Sequence, residues 1–346
     1  MKAVRFHEYG GPGVLKLEEF DTPKLGRDDV LIAVRACALN HVDLDIRDGS
    51  SRLPISLPHT LGLEYAGVVE SIGSEVSGIK VGDRVTALHQ VHCGECNWCQ
   101  QGQEESCANT QLFGVQLPGG YASHVIAPSR AIIPLPDTLS FEDAAAAQVT
   151  FSSAWHALKA RANLQVNETV LVNAAGSGIG IAALQVARLL GGRVIVSAGS
   201  DEKISRAIAN GAVAGVNYNS HDLAQAVLEL TDGQGVNVVM ESVGGDVLVK
   251  SIQALSQNGR LVTVGAHAGE TVPVDVISLF RRQTSLLGSV RATVTEIQHV
   301  LNLVGDGIFK TEIHQRFPLH EAADAHEVLA KRANFGKVIL VPELDS

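Results

Sequence analysis

Apolar positions over roughly the first 130 residues come in short runs broken by glycine, proline and charge, and from about Asn167 the rhythm changes. The runs at 30–36 (VLIAVRA), 65–73 (YAGVVESIG) and 81–86 (VGDRVT) are bounded by turn formers and predict strands. From Asn167 on, a buried strand at 169–173 leads through a glycine turn into an apolar helix at 181–190. A strand at 193–197, a helix at 202–210, and strands at 236–241 and 259–265 with a helix between them follow. Such alternation predicts an α/β fold, a parallel sheet wound on both faces. The last fifty residues return to a helix at 322–329 and a closing strand at 337–341. The pattern contains no internal repeat, low-complexity segment or long linker.

The chain's 346 residues are enough for two domains. A net charge of −10 speaks against nucleic-acid partners and anionic membranes. The start Lys2-Ala-Val-Arg-Phe6 has no apolar signal core, and no run of 18 apolar residues follows, so the expected setting is the cytoplasm, with no membrane partner.

Four of the five cysteines, Cys93, Cys96, Cys99 and Cys107, fall in one short window. Four thiolates at about 2.3 Å are what a closed structural Zn²⁺ site requires, and Gly94 and Gly102 ease the tight backbone. Chance clustering or a pair of disulfides is the alternative, disfavoured in a reducing compartment. One structural zinc is expected.

Between the strand ending at Asn173 and the next helix lies Ala174-Ala175-Gly176-Ser177-Gly178-Ile179-Gly180. Small residues there let the backbone approach a pyrophosphate at a helix N-terminus. Glycine-rich turns also serve packing alone, but a strand before and a helix after make dinucleotide binding the expectation. The following strand ends in Ser197-Ala-Gly-Ser200, without the acid that NAD ribose calls for. Ser200 and Lys203 suit a 2′-phosphate, so NADP(H) is expected; the alternative has Asp201 turning inward to serve NAD.

Together these features resemble the medium-chain dehydrogenase/reductase superfamily nearly end to end. Gly62-Leu63-Glu64-Tyr-Ala-Gly-Val-Val69 is similar to its G-H-E-x-x-G-x-V motif, and Val81-Gly-Asp-Arg-Val85 to its V-G-D-x-V. The resemblance implies a GroES-like catalytic domain from residues 1–149 and 290–346, with the zinc lobe at 93–107, and a Rossmann domain at 150–289. It also implies a homo-oligomer, dimer or tetramer, with the apolar strand at 284–290 a plausible contact.

The departures from the motif carry the functional reading. Relative to the zinc alcohol dehydrogenase branch, the catalytic-zinc ligand positions hold Asn40, Leu63 and Val149, or Gln148 if the last alignment shifts by one. No catalytic zinc is therefore expected, although Cys37 and His41 neighbour the first position. Asn40-x-x-Asp43 resembles the L-N-x-x-D segment of the quinone oxidoreductase branch, as do Ser200, Lys203, Tyr218 and Arg332 around a 2′-phosphate. Val243 and Gly265 complete the expected cofactor set.

Without a Lewis acid, alcohol oxidation lacks several kcal/mol of oxyanion stabilisation. Hydride addition to an enone or a quinone spreads its charge and asks for less. The expectation is an NADPH-dependent reductase of a small activated alkene or quinone. In it Asn40 steadies the substrate oxygen, Thr150, His41 or water supplies the proton, and Asp43 and Glu64 brace the site. A zinc-independent alcohol dehydrogenase or carbonyl reductase is the first alternative, and an NADPH-binding crystallin-like or RNA-binding protein the second.

Overall fold

The computed structural model describes residues 1–342. The chain folds as two compact units, Met1–Val149 with the chain from Thr293 on, and Thr150–Ala292. The division falls inside the helix Phe141–Trp155.

The first unit is built on a seven-stranded sheet. Its order runs Ile313–Pro318, Lys337–Val341, Asp29–Ala38, Glu64–Ile72, Arg84–Ala87, Ile132–Pro134, with His124–Pro128 also paired to Asp29–Ala38. The closing strand lies antiparallel beside Asp29–Ala38, with Ile339 opposite Ala38 and Leu340 opposite Cys37. On its other side Ala38 faces Glu64 and Cys37 faces Tyr65. Carried two residues further, this register brings Lys337 and Gly62 level with Asn40, just where Asp29–Ala38 ends. Strand pairing alone thus gathers three segments that lie far apart in sequence.

The expected strand at 81–86 is shortened to Arg84–Ala87. Gly82, at φ +92°, turns the chain there and leaves Val81 60% exposed, so the V-G-D part of the motif is a turn. The helix His41–Asp48 begins directly after Asn40 and ends on Gly49 at φ +84°, a left-handed position that suits glycine.

The second unit holds the expected doubly wound parallel sheet. Its six strands run in the order Ala214–Asn217, Arg193–Ala198, Thr169–Val172, Val236–Glu241, Leu255–Thr263, Ser285–Gly288. Every pairing is parallel. Order reverses between Thr169–Val172 and Val236–Glu241, where ligands bind in such sheets. Leu171, Ile195, Val239 and Leu261 are buried with Leu223, Val227 and Ile252 in one core. The strand expected at 259–265 starts earlier, at Leu255, through a register shift opposite Val236 and Val238.

Candidate active site

Asn40, Glu64 and Lys337 form one hydrogen-bonded group in the first unit. Lys337 Nζ donates to the Leu39 carbonyl at 2.6 Å, to Glu64 Oε1 at 2.7 Å and to Asn40 Oδ1 at 2.9 Å. Asn40 Nδ2 donates to Glu64 Oε1 at 3.0 Å, and the Val149 amide donates to Glu64 Oε2 at 2.7 Å. The Glu64 side chain is 0% exposed and that of Lys337 7%. Such a pair is held by complete pairing rather than by net Coulomb gain, and removing one partner alone costs about 3–5 kcal/mol. Asn40 is half-buried and forms the accessible end of the group.

A second buried group backs the same helix. Asp43 accepts from the amides of Asn40 at 2.7 Å and Gly62 at 3.2 Å. Burial first, and the charge of Asp43 after it, push the neighbouring Tyr121 hydroxyl well up. Tyr121 Oη lies 3.0 Å from His326 Nε2, and His326 Nδ1 lies 3.2 Å from Arg47 Nη1. Arg47 is anchored in turn on the Gly10 carbonyl at 3.0 Å. A guanidinium only donates, so His326 Nδ1 accepts, and Nε2 carries the proton and donates to Tyr121. Burial, reinforced by Arg47, lowers the His326 pKa to about 3 and keeps the ring neutral. With Nε2 donating, the hydroxyl hydrogen of Tyr121 is left for the neighbouring Asp43 carboxyl. Burial pushes the Asp43 carboxyl up to about 7, against the pull of its backbone donors.

The positions read as zinc ligands hold no set of donors suited to that metal. Leu63 is a buried hydrocarbon. Gln148 is fully buried, donating to Thr86 Oγ1 and the Ala87 carbonyl, both at 2.7 Å, and accepting from the His89 amide at 2.9 Å. Val149 offers its amide to Glu64. Cys37 is fully buried against Gly62 and Gly120, and burial pushes its thiol well up.

In the second unit Ser177 caps the helix Gly178–Leu189, accepting from the Gly180 amide at 3.0 Å. A Cβ at Gly180 would sit 2.2 Å from the Ala174 carbonyl, so the loop closes only over glycine. Ala174 itself stands at φ +54°, a left-handed conformation that recurs at ligand clamps. Beneath the loop, Ser197 Oγ donates to Asn173 Oδ1 at 2.7 Å, and Asn173 Nδ2 to Ser251 Oγ at 2.8 Å. The Lys203 stem lies against Gly176, where a Cβ would meet it at 2.6 Å. Asp201 Oδ1 is occupied by Asn217 Nδ2 at 2.9 Å, and the Tyr218 hydroxyl lies by Gly199. Glu241, buried at the end of its strand, accepts from the amides of Val243 at 2.7 Å and Gly244 at 3.0 Å.

The four cysteines converge. One sulfur from each of Cys93, Cys96, Cys99 and Cys107 lies within 4.8 Å of every other. Three of the separations are 3.5, 3.6 and 3.9 Å, against about 3.8 Å for a regular tetrahedron with 2.3 Å Zn–S bonds. Gly94 at φ +81° and Gly102 at φ +70° make the turns. Amides of Glu95 and Cys96 pointing at Cys93 hold its thiol below the usual range. The cluster therefore fits Zn²⁺.

Comparison with known proteins agrees with both halves. Residues 26–137 match the alcohol dehydrogenase GroES-like domain family, and residues 178–306 the zinc-binding dehydrogenase family. A quinone oxidoreductase of Salmonella typhimurium is 33% identical over 98% of this chain and 99% of its own length. The chain belongs to the medium-chain dehydrogenase/reductase superfamily. Within that superfamily it is quinone oxidoreductase-like, and it is an oxidoreductase acting on small molecules. The crystal structure of an NAD-dependent alcohol dehydrogenase superposes with a TM-score of 0.94 at 38% identity, covering 99% of each chain. A Sinorhizobium meliloti 1021 protein solved bound to NADP superposes at 0.89 and 29% identity, again over 99% of each chain.

Among the residues singled out from the sequence of this dehydrogenase/reductase, Asn40, Asp43 and Glu64 come together, with His41 half-buried at the start of the same helix. Thr150 is buried and opens the second unit. Ala175, Gly176, Ser177, Gly178, Ile179 and Gly180 form the loop. Ser200 caps the helix Asp201–Ala209 and accepts from the Lys203 amide at 3.4 Å. Gly265 follows its strand tip, and Arg332 is exposed in the first unit, whereas the other cofactor candidates belong to the second. Lys337, Tyr121, His326, Arg47 and Glu241 were not foreseen. A lysine opening an otherwise apolar strand was the one signal available for Lys337.

Between its ordinary value of 3.8 and its folded value of about 7, Asp43 holds a proton that the unfolded chain has released. Its share of the stability is therefore full below about pH 4 and falls as pH rises through 7. Tyr121→Phe removes a donor to the ionised form, so its destabilisation, about 1–3 kcal/mol by urea unfolding, is expected to be larger at about pH 8 than at about pH 5.5. Equal losses at both would contradict a favourable interaction between the Tyr121 hydroxyl and ionised Asp43.

Proposed function

We propose that this chain is an NADPH-dependent reductase of activated alkenes, enone or enoyl type, or of quinones, and that it works without a catalytic zinc. The observation that carries the reading is the donor set at the ligand positions. An amide, an isobutyl group and a backbone-occupied valine or glutamine replace metal-binding side chains, and the amide is tied to a lysine ammonium. NADPH, when bound, would supply the hydride. For an enone, addition at the β-carbon would move the π pair to the substrate oxygen, and a proton at the α-carbon would complete the reduction; for a quinone, the resulting phenolate oxygen would take the proton. Asn40 donates to that oxygen as charge develops, a contribution of about 2.7–4 kcal/mol for one well-placed donor. Thr150, His41 or water gives the proton.

Preference for NADP(H) rests on Asp201. Its carboxylate serves Asn217, which leaves Ser200, Lys203 and Tyr218 to hold a 2′-phosphate, with Arg332 implied by resemblance. The reading includes one structural zinc per subunit, held by Cys93, Cys96, Cys99 and Cys107, in a cytoplasmic setting that leaves thiols to a metal rather than to disulfides. It also includes a homodimer. Ser285–Gly288 is an edge strand, and Val276, Ile277, Phe280, Leu286 and Val290 are exposed around it, so a second copy pairing there would cover an apolar edge. The NAD-dependent alcohol dehydrogenase among the structural neighbours favours a second reading, a zinc-independent alcohol dehydrogenase or carbonyl reductase.

Native mass spectrometry is expected to give a dimer carrying two zinc ions; a metal-free monomer would contradict both assignments. Initial rates of NADPH oxidation are expected to be fast with cyclohexenone and a benzoquinone and absent with cyclohexanone. Preference for the saturated ketone would move the chain to the second reading.

A further inference from the structure

We propose that Lys337 is a positioning residue: it holds the Asn40 amide with its oxygen inward. The site then offers an N–H donor and selects substrates that present an acceptor oxygen over those that present a hydroxyl. The proposal deepens the reductase reading and rests on it.

An ammonium has three N–H donors and no acceptor. All three are taken within the protein, by Leu39 O, Glu64 Oε1 and Asn40 Oδ1. Lys337 therefore does not reach a substrate itself, and its action runs through Asn40. A side-chain amide has nearly the same shape either way round, so only a neighbour with one-sided hydrogen bonding fixes its sense. Lys337 is such a neighbour, since it accepts from nothing and the atom facing it must be the oxygen. Asn40 Nδ2 then gives one hydrogen to Glu64 Oε1 at 3.0 Å. Its second hydrogen has no hydrogen-bond partner among the described residues, and Asn40 is the half-buried member of an otherwise buried group.

The chemical consequence is directional. A carbonyl or quinone oxygen accepts from this hydrogen, and accepts more strongly as it becomes an enolate or phenolate. An alcohol needs an acceptor for its own hydrogen, and the exposed end of this group supplies none. Strand register makes the arrangement rigid, because Lys337 is fixed by the pairing of Ile339 with Ala38.

Lys337→Met alone would strand the Glu64 carboxylate, so the test uses Lys337→Met/Glu64→Gln, which removes both charges of the pair, and Lys337→Arg, which keeps the cation. Thermal midpoint, NADPH affinity by fluorescence, and kcat and KM are measured on the acceptor that the wild type reduces fastest. The double variant is expected to fold and to bind NADPH within about twofold of wild type while kcat falls about tenfold or more; Lys337→Arg is expected to recover most of kcat. A folded double variant with wild-type kcat would overturn the proposal. So would equal loss of kcat and NADPH affinity in both variants, which would mark a purely structural role. Wild-type activity confined to alcohols would sink the reductase reading and the donor selection with it. The ratio of double variant to wild type on that substrate would still test whether Lys337 positions Asn40.

Discussion

Two opposite charges buried together, the Lys337 ammonium and the Glu64 carboxylate at 2.7 Å, set the terms for the first unit. Taking both from water costs several kcal/mol per ion, and their attraction offsets this only when the remaining donors and acceptors are matched. The match is supplied by Leu39, Asn40 and Val149. Leu39 and Asn40 directly follow the strand Asp29–Ala38, and Val149 lies in the helix Phe141–Trp155. The pair thus converts a topological fact, the closing strand lying beside Asp29–Ala38, into a chemical one, a polar group of fixed orientation at Asn40.

The same return segment supplies the second buried group. His326 lies on the helix Ala322–Ala330 and reaches Tyr121 and Arg47, while Lys337 opens the next strand. One group is ionic, with both of its charges fully paired; the other runs from a guanidinium through a neutral imidazole and a phenol to a carboxyl. Between them they hold the first turn of the helix His41–Asp48 from both sides, Asn40 by the first and Asp43 by the second. Asn40 is held by Glu64 and Lys337, and Asp43 by the amides of Gly62 and of Asn40 itself.

What was legible in the sequence was local. The glycine loop at 174–180 lies between one strand and one helix, and its glycines answer constraints within a few residues, such as Gly180 against the Ala174 carbonyl. The four-cysteine cluster was legible because its thiols fall within one turn-rich segment. The doubly wound sheet followed from alternation alone. Lys337 and His326 were not legible, because their partners lie 273 and 205 residues away and no periodicity reports such a distance. The uncertainty between Val149 and Gln148 had the same origin: only the hydrogen bonds of Gln148 to Thr86, Ala87 and His89 show it spent in the core. The turn at Val81–Gly82 was misread as strand because a β-branched residue outweighed a glycine whose positive φ is invisible in sequence.

Membership of the medium-chain dehydrogenase/reductase superfamily fixes the broad chemistry, and the Asn40 group narrows it toward acceptor substrates under the reading proposed. That narrowing depends on which way one amide points and on the charge of the lysine beneath it. A neutron crystal structure of the exchanged protein measures both at once. Three deuterons are expected on Lys337 Nζ, directed at Leu39 O, Asn40 Oδ1 and Glu64 Oε1, with the ND₂ group of Asn40 turned outward. A neutral lysine, or an amide whose oxygen faces outward, would contradict this arrangement.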